Sequence, residues 1–249
     1  MKNYLLLAAI AAWMINCKPA EKKTEETPTA EEEVVVHEIP TLTPEQEAEG
    51  WKLLFDGKTL DGWTFFKEHE NNSWEVANGT LHCKPFEEAD KRADLRTDDE
   101  YTNFELAFEW KISPQGNSGV MFHVTEEFDE PYFSGPEYQL LDDNGYPGEV
   151  KEVNFTGGNY DMHAPVNKKL NPVGEWNTSR ILVSGDHVEH WLNGEKVVEY
   201  EIGSDDWKKR RAGSKWKDVS GYAASPKGYI DLQDHSHEVW FKNIMVKEL

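Results

Sequence analysis

The chain has 249 residues, with 47 Asp and Glu against 26 Lys and Arg, and its net charge is −21. This balance excludes nucleic acid as a partner, because neutralising phosphates requires an excess of Lys and Arg. The length allows one large domain or two small ones, and the negative charge helps to keep an exported protein in solution.

Residues 1–17 are typical of an export signal. Lys2 precedes an apolar run over residues 4–15, which is too short to span a bilayer comfortably. The run ends in "MINC", which resembles a bacterial lipoprotein signal whose cysteine is lipidated, although Asn16 stands where a small residue is usual. We therefore expect export and a lipid anchor at Cys17, in the periplasm or on the outer-membrane surface, with no other membrane contact. A plain secretory signal is the alternative.

Residues 18–48 are rich in Pro, Thr, Glu and Lys and poor in aromatic residues. Such a segment cannot bury enough apolar surface to offset its ordering entropy, so we predict a disordered acidic tether. Within it, "TPEQEAEG" predicts one helical turn with Thr43 as N-cap and Pro44 at the first position. A single domain is then expected over residues 49–249, in which Cys83 is a packed small hydrophobe rather than a nucleophile.

Short strands and turns dominate the domain. In "NFELAFEWKI", the alternate residues from Phe104 to Ile112 are apolar, which predicts a half-buried strand. "SWEVANGTLHC" and "HVEHWLNGEKVVEYEI" each place Asn-Gly between two strand-like runs, which predicts two hairpins. No helical period is sustained, so we predict an all-β sandwich of two antiparallel sheets. Residues 204–220 are locally basic, and we interpret them as a solvated excursion containing a short helix or a loop over one end.

Three segments place polar side chains on the face opposite their apolar ones. These segments are "GVMFHV", "PEYQLL" and "GYIDLQDHS". Their outward polar residues are His123, Glu137, Gln139, Asp231, Gln233 and His235. Each residue alone is most simply explained as solvated or structural. If the three strands are neighbours, however, the carboxylates, amides and imidazoles line one groove with the chemistry that binds a sugar.

The spacing of Glu137, Gln139 and Asp142 resembles the Glu-x-Asp-x-x-Glu strand of certain retaining glucanases with a jelly-roll fold. In those enzymes a β-bulge brings the last acid onto the face of the first two. Double displacement needs two carboxyl groups about 5–5.5 Å apart. Gln139 replaces the central acid and Asp142 is shorter than Glu, so ordinary retaining hydrolysis is disfavoured. Asp142 reaches the groove only if a bulge lies between Gln139 and Asp142.

Several motifs occur together in a recognisable order. They are "GWKLLFDGKTLDGW", "NSGVMFHV", "GPEYQLLDD", "NYDMHAP", "GEWNTSRILVSG", "VEHWLNGEKV" and "GYIDLQDHSHEVWFKNIMVKEL". Over about 51–249 this order resembles the bacterial 3-keto-disaccharide hydrolase family, also described as 3-keto-glucoside 1,2-lyases and 3-keto-2-hydroxy-glucal hydratases. Ser236 and Lys242 depart from it, standing where Gly and Arg are common. The resemblance implies a concanavalin-like jelly roll with a sugar groove on its concave sheet.

The resemblance also implies a reaction. In a 3-keto glucoside the carbonyl acidifies the C2 proton, so that a base can remove it, the C1 substituent can leave and water can add back. We expect either Glu137 or His235 to be the base, and the other, or Asp142, to protonate the leaving oxygen. The expected substrate-binding residues are Asn117, His123, Gln139 and Gln233, with Lys151 a looser candidate for charge stabilisation.

Other ligands and functions stay open at this point. No Cys or His pair has structural zinc spacing, and His235 with His237 lacks a third ligand. A Ca²⁺ or other divalent cation bound by Asp142, Asp143 or Asp161 remains an alternative. So do a non-catalytic glycan-binding lipoprotein and an ordinary retaining glycosidase that forms a covalent intermediate on Glu137.

Overall fold

The computed structural model describes residues 39–249. Within this range the chain forms two α-helices, α1 (Pro44–Ala48) and α2 (Asp205–Gly213), and thirteen strands. The strands are β1 (Trp51–Leu53), β2 (Trp63–Phe65), β3 (Trp74–Ala77), β4 (Thr80–Cys83), β5 (Leu95–Tyr101), β6 (Phe104–Ile112), β7 (Asn117–Val124), β8 (Glu137–Leu141), β9 (Asn177–Ser184), β10 (His187–Leu192), β11 (Glu195–Glu201), β12 (Gly228–Leu232) and β13 (Val239–Glu248).

The strands form two antiparallel sheets. The eight-stranded sheet has the order β11-β10-β9-β6-β13-β4-β3, with β1 also paired to β13, and the five-stranded sheet has the order β2-β5-β12-β7-β8. Because β4, β6 and β13 lie in one sheet while β5, β7 and β12 lie in the other, the chain crosses repeatedly between the sheets. This is the interleaving of a jelly roll, and it confirms the predicted all-β fold.

The core lies between the two sheets. The alternation predicted for β6 is confirmed, because its alternate residues from Phe104 to Ile112 are all buried. Phe108 of β6 meets Tyr138 of β8 edge to face, with ring centroids 5.8 Å apart, which joins the sheets. The Tyr138 hydroxyl hydrogen-bonds Ser179 of β9 at 2.8 Å, so its polar end is satisfied inside the core.

Both predicted hairpins are present. β3 pairs with β4 and β10 with β11, each across an Asn-Gly turn. Asn78 and Gly79 have φ values of 55° and 76°, and Asn193 and Gly194 have 47° and 82°. Two successive positive φ angles characterise the type I′ turn, which matches the twist of the flanking strands.

The predicted helical turn near the N-terminus is also confirmed. The Thr43 hydroxyl accepts a hydrogen bond from the Gln46 amide at 3.2 Å, and the Gln46 side chain accepts one from the Thr43 amide at 2.9 Å. The export signal with Cys17 and most of the tether lie outside the described residues and stay predictions. No helix within residues 39–249 is both long and apolar enough to cross a bilayer.

Residues 204–220 do not form a solvated excursion. Ser204 caps α2 by accepting a hydrogen bond from the Trp207 amide at 3.2 Å. Trp207 and Trp216 are both buried, and Trp216 stacks on Tyr222 with ring centroids 4.6 Å apart. Burial of Trp207 and Trp216 holds residues 204–220 against the domain. Lys215 consequently lies beside the outer face of the five-stranded sheet. Cys83 is buried as predicted, and burial raises the pKa of its thiol.

Asp234 joins three segments just before His235. Its carboxylate accepts hydrogen bonds from Arg92 Nε and Nη2 at 2.9 and 2.7 Å, and from the Ser73 hydroxyl at 2.6 Å. It also accepts one from the Ser236 amide at 2.9 Å. The Asp234 side chain is fully buried. Its hydrogen bonds fix the backbone next to His235, and its charge neutralises that of Arg92.

We expect Asp234→Ala to lower the free energy of unfolding by about 3–5 kcal/mol, because it leaves the charge of Arg92 buried without its partner. Urea denaturation measures the change. The control is Glu70→Ala, which removes an ion pair to Lys91 between two exposed side chains and should change stability by less than about 1 kcal/mol. Equal effects of the two substitutions would contradict this role of Asp234.

Candidate active site

Three neighbouring strands of the five-stranded sheet build the site. β7 lies between β12 and β8, as the sequence pattern required. Gly119 of β7 is the register partner of Gln139 in β8, and its carbonyl accepts a hydrogen bond from the Gln233 amide at 2.9 Å. Gln139 and Gln233 therefore stand on either side of a residue that has no side chain, on the face turned away from the core.

Glu137 occupies the space that Gly119 leaves. A Cβ atom built on Gly119 would lie 2.8 Å from Cγ of Glu137 and would also overlap its Oε1 atom. No side chain larger than hydrogen fits at position 119 without moving the carboxyl group. The glycine in "NSGVMFHV" thus determines where the carboxylate of Glu137 lies.

Two adjoining cavities open on this face. The inner cavity has a volume of about 270 Å³ and the outer cavity a volume of about 140 Å³. They share the walls formed by Asn117, Gln139, Tyr160 and His235. The inner cavity adds Tyr132, Glu137, Lys215 and Gln233, and the outer cavity adds Leu141, Tyr146, Glu149, Val150 and Asn154.

Glu137 is the acid of the inner cavity. Its side chain is buried, and burial raises its pKa from 4.5 to about 7, while the charge of Lys215 acts in the opposite direction. No residue in the described range donates a hydrogen bond to its carboxyl group. A carboxylate with this pKa and a free oxygen is suited to taking up a proton near neutral pH.

Lys215 is the charged residue of the inner cavity that the sequence analysis missed, as it also missed Tyr132 and Tyr160. Its backbone amide donates to Asp161 Oδ2 at 2.8 Å, and its ammonium group lies 4.0 Å from the ring centre of Tyr160 and 4.3 Å from that of Trp216. Partial desolvation lowers the pKa of Lys215 and Glu137 raises it, although part of the side chain is exposed. The ammonium group is thus a cation held at the mouth of the inner cavity.

His235 stands where the two cavities meet. Its Nδ1 atom lies 3.3 Å from Nδ1 of His237, and the two rings stack with centroids 5.4 Å apart. Partial desolvation of the ring, and then the charge of His237, lower the pKa of His235, but the residue is exposed to solvent, which weakens this effect. Ser236 lies between the two histidines with a φ of 61°, in the bend that brings their rings together.

Two amide oxygens in the cavity walls have no partner. Gln139 Nε2 donates to Asn117 Oδ1 at 2.7 Å, which fixes the orientation of both amides. Oε1 of Gln139 and Oε1 of Gln233 are buried and have no hydrogen-bond partner within residues 39–249. Because unsatisfied buried acceptors are costly, these oxygens indicate places for hydroxyl donors of a ligand.

The expectation for His123 is wrong. Between the pairs Tyr229↔Val124 and Asp231↔Met121, β7 contains one residue more than β12, and His123 has a φ of 54°. This bulge reverses the alternation, so His123 points into the core, where its Nε2–H donates to the Thr102 carbonyl at 2.9 Å. His123 lines neither cavity.

Asp142 also does not join Glu137. β8 pairs with β7 without a register shift and ends at Leu141, so the bulge that Asp142 required is not there. Oδ2 of Asp142 accepts from the Gln115 amide and Oδ1 from the Gly145 amide, both at 2.8 Å. Its carboxylate stabilises the turn that follows the strand, so the structure does not bring Asp142 beside Glu137 as its expected role as a catalytic acid required.

Lys151 and the candidate calcium ligands lie elsewhere. Lys151 is exposed and lines neither cavity, and the lysine in the wall of the inner cavity is Lys215. Asp143 pairs with Lys168 and accepts a hydrogen bond from the Thr156 amide. Within the described range, Asp142, Asp143 and Asp161 do not come together as a cluster of metal ligands.

Asp231 shares the outward face but is fully buried and lines neither cavity. Apart from the carboxyl group of Asp94, neither of its carboxyl oxygens has a hydrogen-bond partner in the described residues. Burial and then the neighbouring Asp94 raise the pKa of Asp231, and burial raises that of Asp94 to about 8. The two acids therefore hold a shared proton near neutral pH, which limits the negative charge beside Glu137.

Comparison with known proteins identifies the family. A 3-keto-alpha-glucoside-1,2-lyase-like domain matches residues 50–247. The chain belongs to this family. A 3-keto-disaccharide hydrolase of Bacteroides thetaiotaomicron is 31% identical over 99% of this chain and 98% of its own length.

Solved structures of the same fold agree with this assignment. A crystal structure from Parabacteroides distasonis, described as a glycosyl hydrolase, is 40% identical and has a TM-score of 0.80, covering 85% of this chain and 100% of that one. A second from the same organism, described in the same way, is 29% identical with a TM-score of 0.62, covering 80% and 99%. The family resemblance read from the motifs is therefore confirmed.

Lys215→Met should raise the pKa of Glu137 above its value of about 7, because it removes the charge that favours the carboxylate. Carbon-13 NMR of glutamate-labelled protein measures the titration midpoint, and Glu137→Gln identifies the signal. Lys217→Met is the matched control, since Lys217 is an exposed neighbour that lines neither cavity. An unchanged or lowered midpoint in Lys215→Met would show that Lys215 does not act on Glu137.

Proposed function

We propose that this protein hydrolyses 3-keto disaccharides, by elimination across C1 and C2 followed by addition of water. Family membership and the name of the Bacteroides relative support the substrate class. The mechanism is supported by the charged residues of the inner cavity. Glu137 is the one carboxylate among the described wall residues, and Lys215 is a cation in the same wall. Elimination needs one base and a stabilised oxyanion, whereas double displacement needs a second carboxylate.

The first half of the reaction is assigned to three groups. The carboxylate of Glu137 takes the C2 proton, and the electron pair moves into a C2–C3 enolate whose oxygen faces the Lys215 ammonium group. When the C3 carbonyl re-forms, a C1–C2 double bond forms and the C1–O bond breaks. The imidazolium form of His235 gives its proton to the leaving oxygen, which completes the glycal and the free aglycone.

The second half reverses these proton transfers. Neutral His235 takes a proton from water as the oxygen bonds to C1, and protonated Glu137 returns its proton to C2. The products are the 3-keto sugar and the aglycone, and both side chains regain their starting states. The raised pKa makes Glu137 a stronger base, and the lowered pKa makes the imidazolium of His235 a stronger acid.

The pH dependence should distinguish the base from the acid. In the unaltered protein we expect a bell-shaped profile of kcat/KM that falls above about pH 7, as the Glu137–His235 pair loses its last proton. His235→Asn should lower the rate about 10²–10⁴-fold, with a residual rate that rises through about pH 7 as Glu137 ionises. A residual rate that instead falls through this range would make Glu137 the acid.

Product analysis tests the reaction itself. In D₂O, the proton on Glu137 exchanges with solvent while the glycal is bound, so the released 3-keto sugar should carry deuterium at C2, and the glycal should appear before it. Turnover of the unoxidised disaccharide without C2 exchange would support an ordinary glycosidase, and tight binding without turnover would support a glycan-binding protein; either result would overturn the proposal.

Gly119→Ala should lower kcat/KM by about 100-fold, because the new methyl group displaces the carboxylate of Glu137, and misplacement of a catalytic group by about 1 Å has effects of this size. Steady-state kinetics with a 3-keto disaccharide give the ratio, and circular dichroism checks the fold. Gly213→Ala is the matched control, because a Cβ atom there meets nothing within 4 Å. Full activity of Gly119→Ala would contradict the assigned position of the base.

A further inference from the structure

The outer cavity has walls of its own that no step of the proposed reaction uses. Tyr146, Glu149, Val150 and Asn154 come from the segment that follows β8, and Leu141 comes from the end of that strand. Glu137 and Lys215 line only the inner cavity. A sugar whose C2 proton reaches Glu137 must therefore bind in the inner cavity, and the outer cavity receives another part of the substrate.

His235 determines which part that is. His235 is assigned to the leaving oxygen, and it is a wall of both cavities. With the glycosidic oxygen at His235 and the keto ring in the inner cavity, the substituent beyond that oxygen extends into the outer cavity. We propose that the outer cavity is the aglycone subsite, that it takes a second sugar ring, and that Tyr146 and Asn154 determine the preference for it. This inference rests on the proposed function.

The polar groups of the outer cavity favour a sugar over an apolar aglycone. Oε1 of Gln139 is a buried acceptor with no partner in the described part of the chain, and it needs a hydroxyl donor. The side chains of Asn154 and Glu149 offer further hydrogen-bonding atoms around the same space. Tyr146 is half-buried and lines the outer cavity, where its ring can pack against the C–H bonds of a pyranose. An apolar aglycone would leave the amide oxygen unpaired, at the cost of a desolvated acceptor.

The wall that carries Tyr146 is held in place before any ligand binds. The Tyr146 amide donates to the Asp142 carbonyl at 2.9 Å, within the turn that the Asp142 carboxylate stabilises. Farther along, Asp143 fixes the returning chain by accepting from the Thr156 amide at 2.9 Å. The Tyr146 ring also meets His237 edge to face, with centroids 5.9 Å apart, and His237 contacts His235. A ring bound against Tyr146 would therefore lie next to the groups that serve the leaving oxygen.

Two substrates separate the subsite from the reaction. A 3-keto disaccharide fills both cavities, whereas a methyl 3-keto glucoside fills only the inner one. In Tyr146→Ala and Asn154→Ala, we expect kcat/KM for the disaccharide to fall at least about tenfold, and kcat/KM for the methyl glucoside to stay within about twofold. Asn144→Ala is the matched control, since Asn144 is exposed in the same segment and lines neither cavity.

The remaining outcomes also decide the question. Unchanged turnover of the disaccharide, or equal losses on both substrates, would overturn the subsite while leaving the proposed reaction in place. If the unaltered protein turns over neither compound, the proposed function fails, and titration calorimetry with an unoxidised disaccharide and its methyl glucoside then decides the subsite. The subsite is supported if the disaccharide binds more tightly than the methyl glucoside and Tyr146→Ala weakens that binding. Equal binding of the two ligands overturns the subsite.

Discussion

The burial of one carboxyl group governs the chemistry of this site. Glu137 lies over the bare backbone of Gly119, and burial raises its pKa from 4.5 to about 7. One pKa unit is about 1.4 kcal/mol, so ionising Glu137 in the folded protein costs on the order of 3 kcal/mol. Because the folded-state pKa is the higher one, this cost is absent below about pH 4.5 and complete above about pH 7. The folded protein is less stable by this amount above about pH 7, and the same raised pKa makes the carboxylate of Glu137 a stronger base.

The parts of the fold that sequence can predict are those with short-range physical causes. Asn-Gly turns and period-two alternation indicated both hairpins and the buried face of β6, because each pattern acts within a few residues. The same alternation placed Glu137, Gln139 and Gln233 on one outward face. These residues lie together only because β7 stands between β12 and β8. The expectation that the three strands are neighbours rested on the pattern repeated in all three and on the family resemblance, and no single strand indicates it.

The errors come from backbone geometry and from long-range packing. His123 has a positive φ in the middle of a strand, and nothing in "GVMFHV" indicates that β7 contains one residue more than its partner there. Asp142 bonds to backbone amides of its own turn, so its apparent match to a glucanase acid follows from spacing alone. Lys215 lies far along the chain from Glu137, and the signal for it was the pair of tryptophans in its basic segment. Trp207 and Trp216 had to be buried somewhere, and burying them brings Lys215 to the cavity.

The amides around Gly119 connect stability to recognition. Gln139 donates its side-chain N–H groups to Asn117 and to a backbone carbonyl, and its buried Oε1 has no partner within residues 39–249. Gln233 has its own unpaired Oε1 on the other side of Gly119. Without a ligand, each unpaired oxygen destabilises the folded protein by its desolvation penalty. A sugar whose hydroxyl groups donate to these oxygens removes that penalty on binding. A retaining glycosidase would need an acid at one of these positions. In the proposed reaction, amides at these positions bind the hydroxyl groups, and Glu137 is the one carboxylate among the described walls of the inner cavity.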